Sequence, residues 1–88
     1  MMFIMMLKAL PNKMRDMVGY LKKLKPPNGI KVQGVYTLLG KYDACIVFET
    51  SDSSKAMDFA VKVSCTAFCE TETFMGTPIK DLTAEVEI

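Results

Sequence analysis

Residues 30–50, IKVQGVYTLLGKYDACIVFET, decide the fold. Val32, Val35, Tyr36 and Thr37 on one side of Gly40-Lys41-Tyr42-Asp43, and Cys45, Ile46, Val47 and Phe48 on the other, are β-formers flanking a turn, and such a pattern predicts two strands folded back on each other. Gly40 is the residue for the positive φ that a tight reversal needs, and Asp43 can accept bonds from nearby backbone amides. The rest of the chain is arranged around this hairpin.

On its N-terminal side, residues 2–9 are apolar on both alternating sets, Met2, Ile4 and Met6 against Phe3, Met5 and Leu7. A strand of that kind needs both faces of its sheet covered, one by helices and the other by a partner. Pro11-Asn12 predicts a helix start with Asn12 as cap, and Met14, Met17, Val18, Leu21 and Leu24 follow at three- and four-residue spacing. Pro26-Pro27-Asn28-Gly29 ends that helix. After the hairpin, Ser51-Asp52-Ser53-Ser54 caps a second helix over about residues 53–65, striped by Ala56, Phe59, Ala60 and Val63. The last strand is read over 68–75, with Phe68, Glu70, Glu72 and Phe74 on one face and Cys69, Thr71, Thr73 and Met75 on the other. Residues 80–88 suggest a short turn and an extended end.

The order strand, helix, strand, strand, helix, strand predicts a ferredoxin-like α+β domain: a four-stranded antiparallel sheet with both helices on one face. One domain is all that 88 residues support. The bare sheet face should then meet the same face of a second subunit, giving a homodimer or a larger homo-oligomer in the manner of a dimeric α+β barrel.

Composition narrows the function. The chain has no histidine, which removes the usual acid–base residue at neutral pH, the commonest transition-metal ligand and the usual proximal haem ligand. No Gly-rich phosphate loop occurs, and the Ser and Cys residues lack a histidine base. Cys45, Cys65 and Cys69 are too few for a structural zinc site and read as small apolar filler. Met1-Met2 and Met5-Met6 would be split between opposite faces of a strand, which weakens a copper reading. No cofactor or metal is expected. An odd cysteine count without a paired framework points to a reducing, cytoplasmic setting. The apolar N-terminal run has no basic residues before it and is far shorter than a membrane span, so no membrane partner is expected. Residues 1–41 hold eight Lys and Arg against Asp16 alone, and 42–88 hold nine acids against Lys55, Lys62 and Lys80. Opposite charges side by side in one small domain offset each other, and no reading helix or aromatic pattern accompanies the bases, so no nucleic-acid partner is expected.

The segment Tyr36-Thr37-Leu38-Leu39-Gly40-Lys41-Tyr42-Asp43, the apolar strand after it and the Thr71-Glu72-Thr73 pattern resemble the GYD family of small proteins, whose functions are largely unassigned. The likeness spans nearly the whole chain. It departs at Cys65-Thr66-Ala67-Phe68-Cys69, where family members tend to carry a Gly-Asn turn. The corner and the Thr-x-Thr strand are also similar to the ligand-sensing domain of feast/famine regulators, although this chain has no room for their helix-turn-helix. The resemblance implies a binding or sensing module, with a small metabolite held near the Gly40–Asp43 corner or at a subunit interface. Tyr36, Gly40, Tyr42, Asp43, Thr71 and Thr73 are the candidate ligand-binding residues. The bland alternatives are a packed Tyr42 ring and an Asp43 that only caps the turn. Glu70 and Glu72 are edge charges if their face meets solvent and a site if it is buried. The rival functions are a cofactor-free monooxygenase or isomerase handling protons through Tyr36, Tyr42 or Asp43, and a structural oligomer without a ligand.

Overall fold

The computed structural model describes residues 1–85. The elements run β1 (Met2–Ala9), α1 (Met14–Lys22), β2 (Lys31–Thr37), β3 (Ala44–Glu49), α2 (Ser53–Thr66) and β4 (Cys69–Gly76), followed by a single 3-10 turn at Ile79–Asp81. The strands form one antiparallel sheet in the order β2-β3-β1-β4, so β2 and β4 are its edges. This is the expected ferredoxin-like α+β arrangement.

The sheet's two faces follow from strand alternation. Phe3, Met5 and Leu7 of β1 and Ala44, Ile46 and Phe48 of β3 point to one side and are buried there with Met17 and Leu21 of α1 and Ala56, Phe59 and Val63 of α2. Phe48 sits at the centre, stacked on Phe3 with ring centroids 5.4 Å apart and meeting Phe59 edge-on at 5.0 Å. Both helices therefore lie on the same face, and the Cα trace is only 17 Å thick along its shortest axis.

Two local readings are corrected. Asn12 is not the α1 cap: it has φ 65°, in a turn closed by a bond from the Lys13 N–H to the Leu10 carbonyl, with Pro11 second and Asn12 third. Those are the positions where a turn of this kind favours Pro and tolerates positive φ. Lys13 takes the cap position without a side-chain bond. Phe68 is not part of the last strand; it has φ 55° just beyond the C-cap of α2, where a glycine is usual. Its carbonyl accepts from the Leu10 N–H at 3.0 Å, and the Lys13 ammonium lies 5.1 Å from its ring centroid. At the end of the chain the expected short turn is present at Ile79–Asp81, and the expected extended part falls partly in residues 86–88, outside the described residues.

The α2 start is as expected: Asp52 accepts from the Ser54 N–H at 2.9 Å. Hydrogen bonds from the Ser54 side chain and backbone hold the Asp52 carboxyl below its ordinary value. Above the ordinary carboxylate range the cap's contribution is complete, and it is lost as acid protonates the group. Asp52→Ala should lower the melting temperature at pH 7, with the gap from wild type narrowing as the pH falls below the ordinary carboxylate range. Phe48→Ala should cost about 3–5 kcal/mol by denaturant titration, a large part of a small domain's stability.

Candidate functional site

The face of the sheet that carries no helix holds Lys31, Gly34 and Tyr36 of β2, Cys45, Val47 and Glu49 of β3, Met2, Ile4, Met6 and Lys8 of β1, and Glu70, Glu72 and Phe74 of β4, as the strand registers require. Apolar groups fill its middle and charges its two ends. The position of Tyr36 depends on Gly34. A Cβ built at Gly34 would lie 2.7 Å from two carbons of the Tyr36 ring, so the ring folds back over the glycine. Immediately before it, Gln33 is an extra residue in the β2–β3 ladder, a bulge that resets the alternation and brings Gly34 and Tyr36 onto this face.

Asp43 fixes the hairpin corner to β1. Its N–H donates to the Leu7 carbonyl at 2.8 Å, its carboxylate accepts from the Ala9 N–H at 2.8 Å, and its carbonyl accepts from Leu38. Asp43 thus replaces the next rung of the β1–β3 ladder, serving a strand 34 residues away where a turn-capping role would serve its own loop. The adjacent Tyr42 reaches the other neighbour of β1: its hydroxyl donates to Glu72 Oε1 at 3.0 Å. That bond, with lesser help from desolvation and the carboxylate's charge, raises the Tyr42 phenol above its usual value. The Lys41 ammonium lies 5.6 Å from the Tyr42 ring centroid. Lys8, Lys41, Tyr42, Glu70, Thr71 and Glu72 border an open depression of about 230 Å³ at one end of the helix-free face. It offers two cations, two carboxylates and a hydroxyl within reach of one small polar molecule.

The candidate residues therefore separate. Tyr42 and Asp43 are brought together with Glu70, Glu72 and Lys8. Tyr36 shares their face but stands in register with Cys45 and hence with Met6 and Glu72, three strand spacings or ~14 Å from β4. Gly40 has φ 145° at an exposed loop tip, where an added Cβ would meet no atom within 4 Å, so it serves the turn alone. Thr71 and Thr73 stand opposite Leu7 and Met5, on the helix side; Thr71 also borders the depression. Glu70 and Glu72 are exposed in the single chain. The Tyr42–Glu72 pairing and the part played by Lys8 are not readable from sequence, because both depend on β4 pairing with β1 rather than with the hairpin.

The cysteines are free, with Cys65 exposed and Cys45 and Cys69 buried. Burial raises both buried thiols, that of Cys69 to about 11. Among the described residues no group of three His, Cys, Asp or Glu is placed to hold a metal, and no helix is long and apolar enough to cross a membrane.

Two outcomes are expected. Asp43→Ala should destabilise by about 1–3 kcal/mol, since it leaves the Ala9 amide unpaired, while Asp43→Asn retains an acceptor and loses less; chemical denaturation separates them. Iodoacetamide at pH 8 should label Cys65 first, because at a pKa near 11 only ~0.1% of Cys69 is thiolate, and peptide mass spectrometry reads the order. No family model, curated protein or solved structure matches the chain.

Proposed function

We propose that this chain is a small homo-oligomeric binding or sensing module that pairs through its helix-free sheet face and holds a small polar molecule at the Tyr42–Glu72 end of that face. The observation that carries the reading is the composition of the face. Met2, Ile4, Met6, Cys45, Val47 and Phe74 make a continuous apolar band with no helix over it, and Tyr36 and Phe74 remain 54% and 49% exposed. An apolar band rimmed by charges is the usual form of a protein–protein contact.

The face suits a second copy of itself. A two-fold axis parallel to the strands, between β1 and β3, sets each β2 over the partner's β4. Tyr36 then comes over the partner's Phe74 and Glu72, Val47 over the partner's Ile4, and Asp43 over the partner's Lys8. Aromatic meets aromatic and cation meets anion. In this arrangement Glu72 is covered, with its own chain's Tyr42 and the partner's Tyr36 as hydroxyl donors, and the polar depression beside it becomes a partly enclosed site. The resemblance to the GYD family and to feast/famine sensing domains supports the same reading. For the enzymatic alternative, the raised Tyr42 phenol favours a hydrogen-bond donor over a phenolate base, and the Asp43 carboxylate is already engaged by the Ala9 amide.

Native mass spectrometry should find a multiple of the 9.8 kDa chain, and Ile4→Lys should lower that mass. A wild-type monomer at micromolar concentration overturns the reading. Tyr42→Phe and Glu72→Gln should leave the assembly intact while removing the melting shift of a few degrees that a bound metabolite gives in a ligand panel.

A further inference from the structure

Among the described residues, the edge strand β4 is left open in a way that β2 is not. Natural sheets blunt their edges with bulges, lysines or prolines. β2 has the bulge at Gln33 and Lys31 at its start, whereas β4 pairs with β1 over eight successive residues without irregularity and contains no Lys or Pro. Its outer backbone groups can be identified. The Leu10 N–H donates to the Phe68 carbonyl, and the register continues through Lys8–Glu70, Met6–Glu72 and Ile4–Phe74. Antiparallel pairs alternate between bonded and non-bonded, so Glu70, Glu72 and Phe74 spend their backbone groups on β1. Cys69, Thr71, Thr73 and Met75 direct theirs outward, away from the sheet.

The side chains beside those outward groups are apolar or neutral. Two adjoining depressions run between α2 and β4, sharing Met57, Ala60 and Thr73 and extending to Met75 at one end and Val61 and Thr71 at the other. Met57 is 67% exposed, Val61 53% and Met75 67%. Among the described residues, no charged one lines this groove.

We propose that the β4 edge and the α2–β4 groove form a second self-association surface, on which β4 of another copy pairs antiparallel so that two sheets become one of eight strands. The occupant follows from the strand's own pattern. In an antiparallel self-pair the residue numbers of opposed residues have a constant sum, and outward groups must face outward groups. A pair centred on Thr73 meets both conditions: Thr73 opposes the partner's Thr73, Thr71 the partner's Met75, and Glu72 the partner's Phe74. Each Thr71, Thr73 and Met75 then exchanges backbone bonds across the axis, and Thr–Thr is a favourable cross-strand pair. Moving the pair one step toward the strand start would place Glu72 opposite Glu72, which like charges resist. On the helix side, α2 meets α2 with Met57 and Val61 of both copies between them. The exposed area of Met57, Val61 and Met75 with the outer backbone of β4 is roughly 500 Å² per copy, so the pair removes ~1,000 Å² in total, the lower limit for a specific interface. Because edge groups point in the plane of the sheet, this contact is compatible with the face-to-face dimer; the two β4 edges of that dimer lie on opposite sides, so edge pairing joins dimers into an open chain.

The test uses variants that act on one surface each, read by native mass spectrometry and light scattering at micromolar concentration. Thr73→Pro removes an outward N–H that β1 does not use, and the pair Met57→Glu with Val61→Glu charges the groove without touching the strand. Wild type should form a series of assemblies larger than a dimer; either edge variant and Ile4→Lys should each stop at a dimer, and the combination at a monomer. Circular dichroism checks that each variant is folded, the groove variant standing in if Thr73→Pro is not. A wild type whose mass is unchanged by both edge changes, or a dimer split by Ile4→Lys alone, overturns this inference and leaves the face-to-face reading standing. A dimer split by the edge changes and untouched by Ile4→Lys supports the edge and overturns the face.

Discussion

The constraint on which the rest of this structure depends is that β1 is apolar on both sides. From Met2 to Leu7 it offers no polar side chain, and it lies between β3 and β4 near the middle of the sheet. Its Phe3, Met5 and Leu7 are buried under the helices, while Met2, Ile4 and Met6 stay half-buried by their neighbours in the sheet. A strand with one polar face would have left no apolar residues on the side without helices. With about 25 cal/mol gained per Å² of apolar surface removed from water, the outward residues make a second covering layer favourable, and two short helices, both committed to the other face, cannot supply it.

The same strand organises the polar end of the molecule. Past Leu7, β1 continues to Lys8 and Ala9, and three residues distant in sequence converge there. Asp43 binds the Ala9 amide, Glu70 stands opposite Lys8, and Tyr42 reaches across to Glu72. The Gly40 corner thus acts at a distance: its loop delivers Tyr42 and Asp43 to a strand on the far side of β3. Removing Asp43 would loosen both the corner and the place where Tyr42 meets Glu72, so stability and any binding at this depression are coupled through one carboxylate.

Periodicity carries most of the architecture. The six elements, their order, the two-faced first strand, the Asp52 cap and the positive φ at Gly40 are each local consequences of residue type, and local consequences are legible in a sequence. The departures share a physical cause, which is that a tertiary partner decides the outcome. Asn12 reads as a cap because capping and positive-φ turns favour the same residue; the Leu10 carbonyl, held by β1, decides for the turn. Phe68 alternates correctly with Glu70 and Phe74, yet its carbonyl is taken by Leu10 and its ring by Lys13, contacts that can offset the left-handed backbone a glycine would adopt freely. Asp43 is legible as an acceptor, but its donor lies 34 residues away. The bulge at Gln33, which puts Tyr36 on the helix-free face, has no sequence signal beyond the neighbouring Gly34.

The two edges of the sheet illustrate how one chain can separate its contacts. On β2 the bulge spoils the edge as a pairing template, while the Tyr36 ring, folded over Gly34, lies on the open face. On β4 the face positions are acidic and aromatic, with Glu72 held by Tyr42, and the outward backbone groups belong to the neutral residues between them. Because alternation assigns side chains and free backbone groups to different residues, β4 can offer charge perpendicular to the sheet and hydrogen bonds along it. A ligand that takes Glu72 from Tyr42 would therefore act on the face first, through a side chain whose own backbone groups are spent on β1.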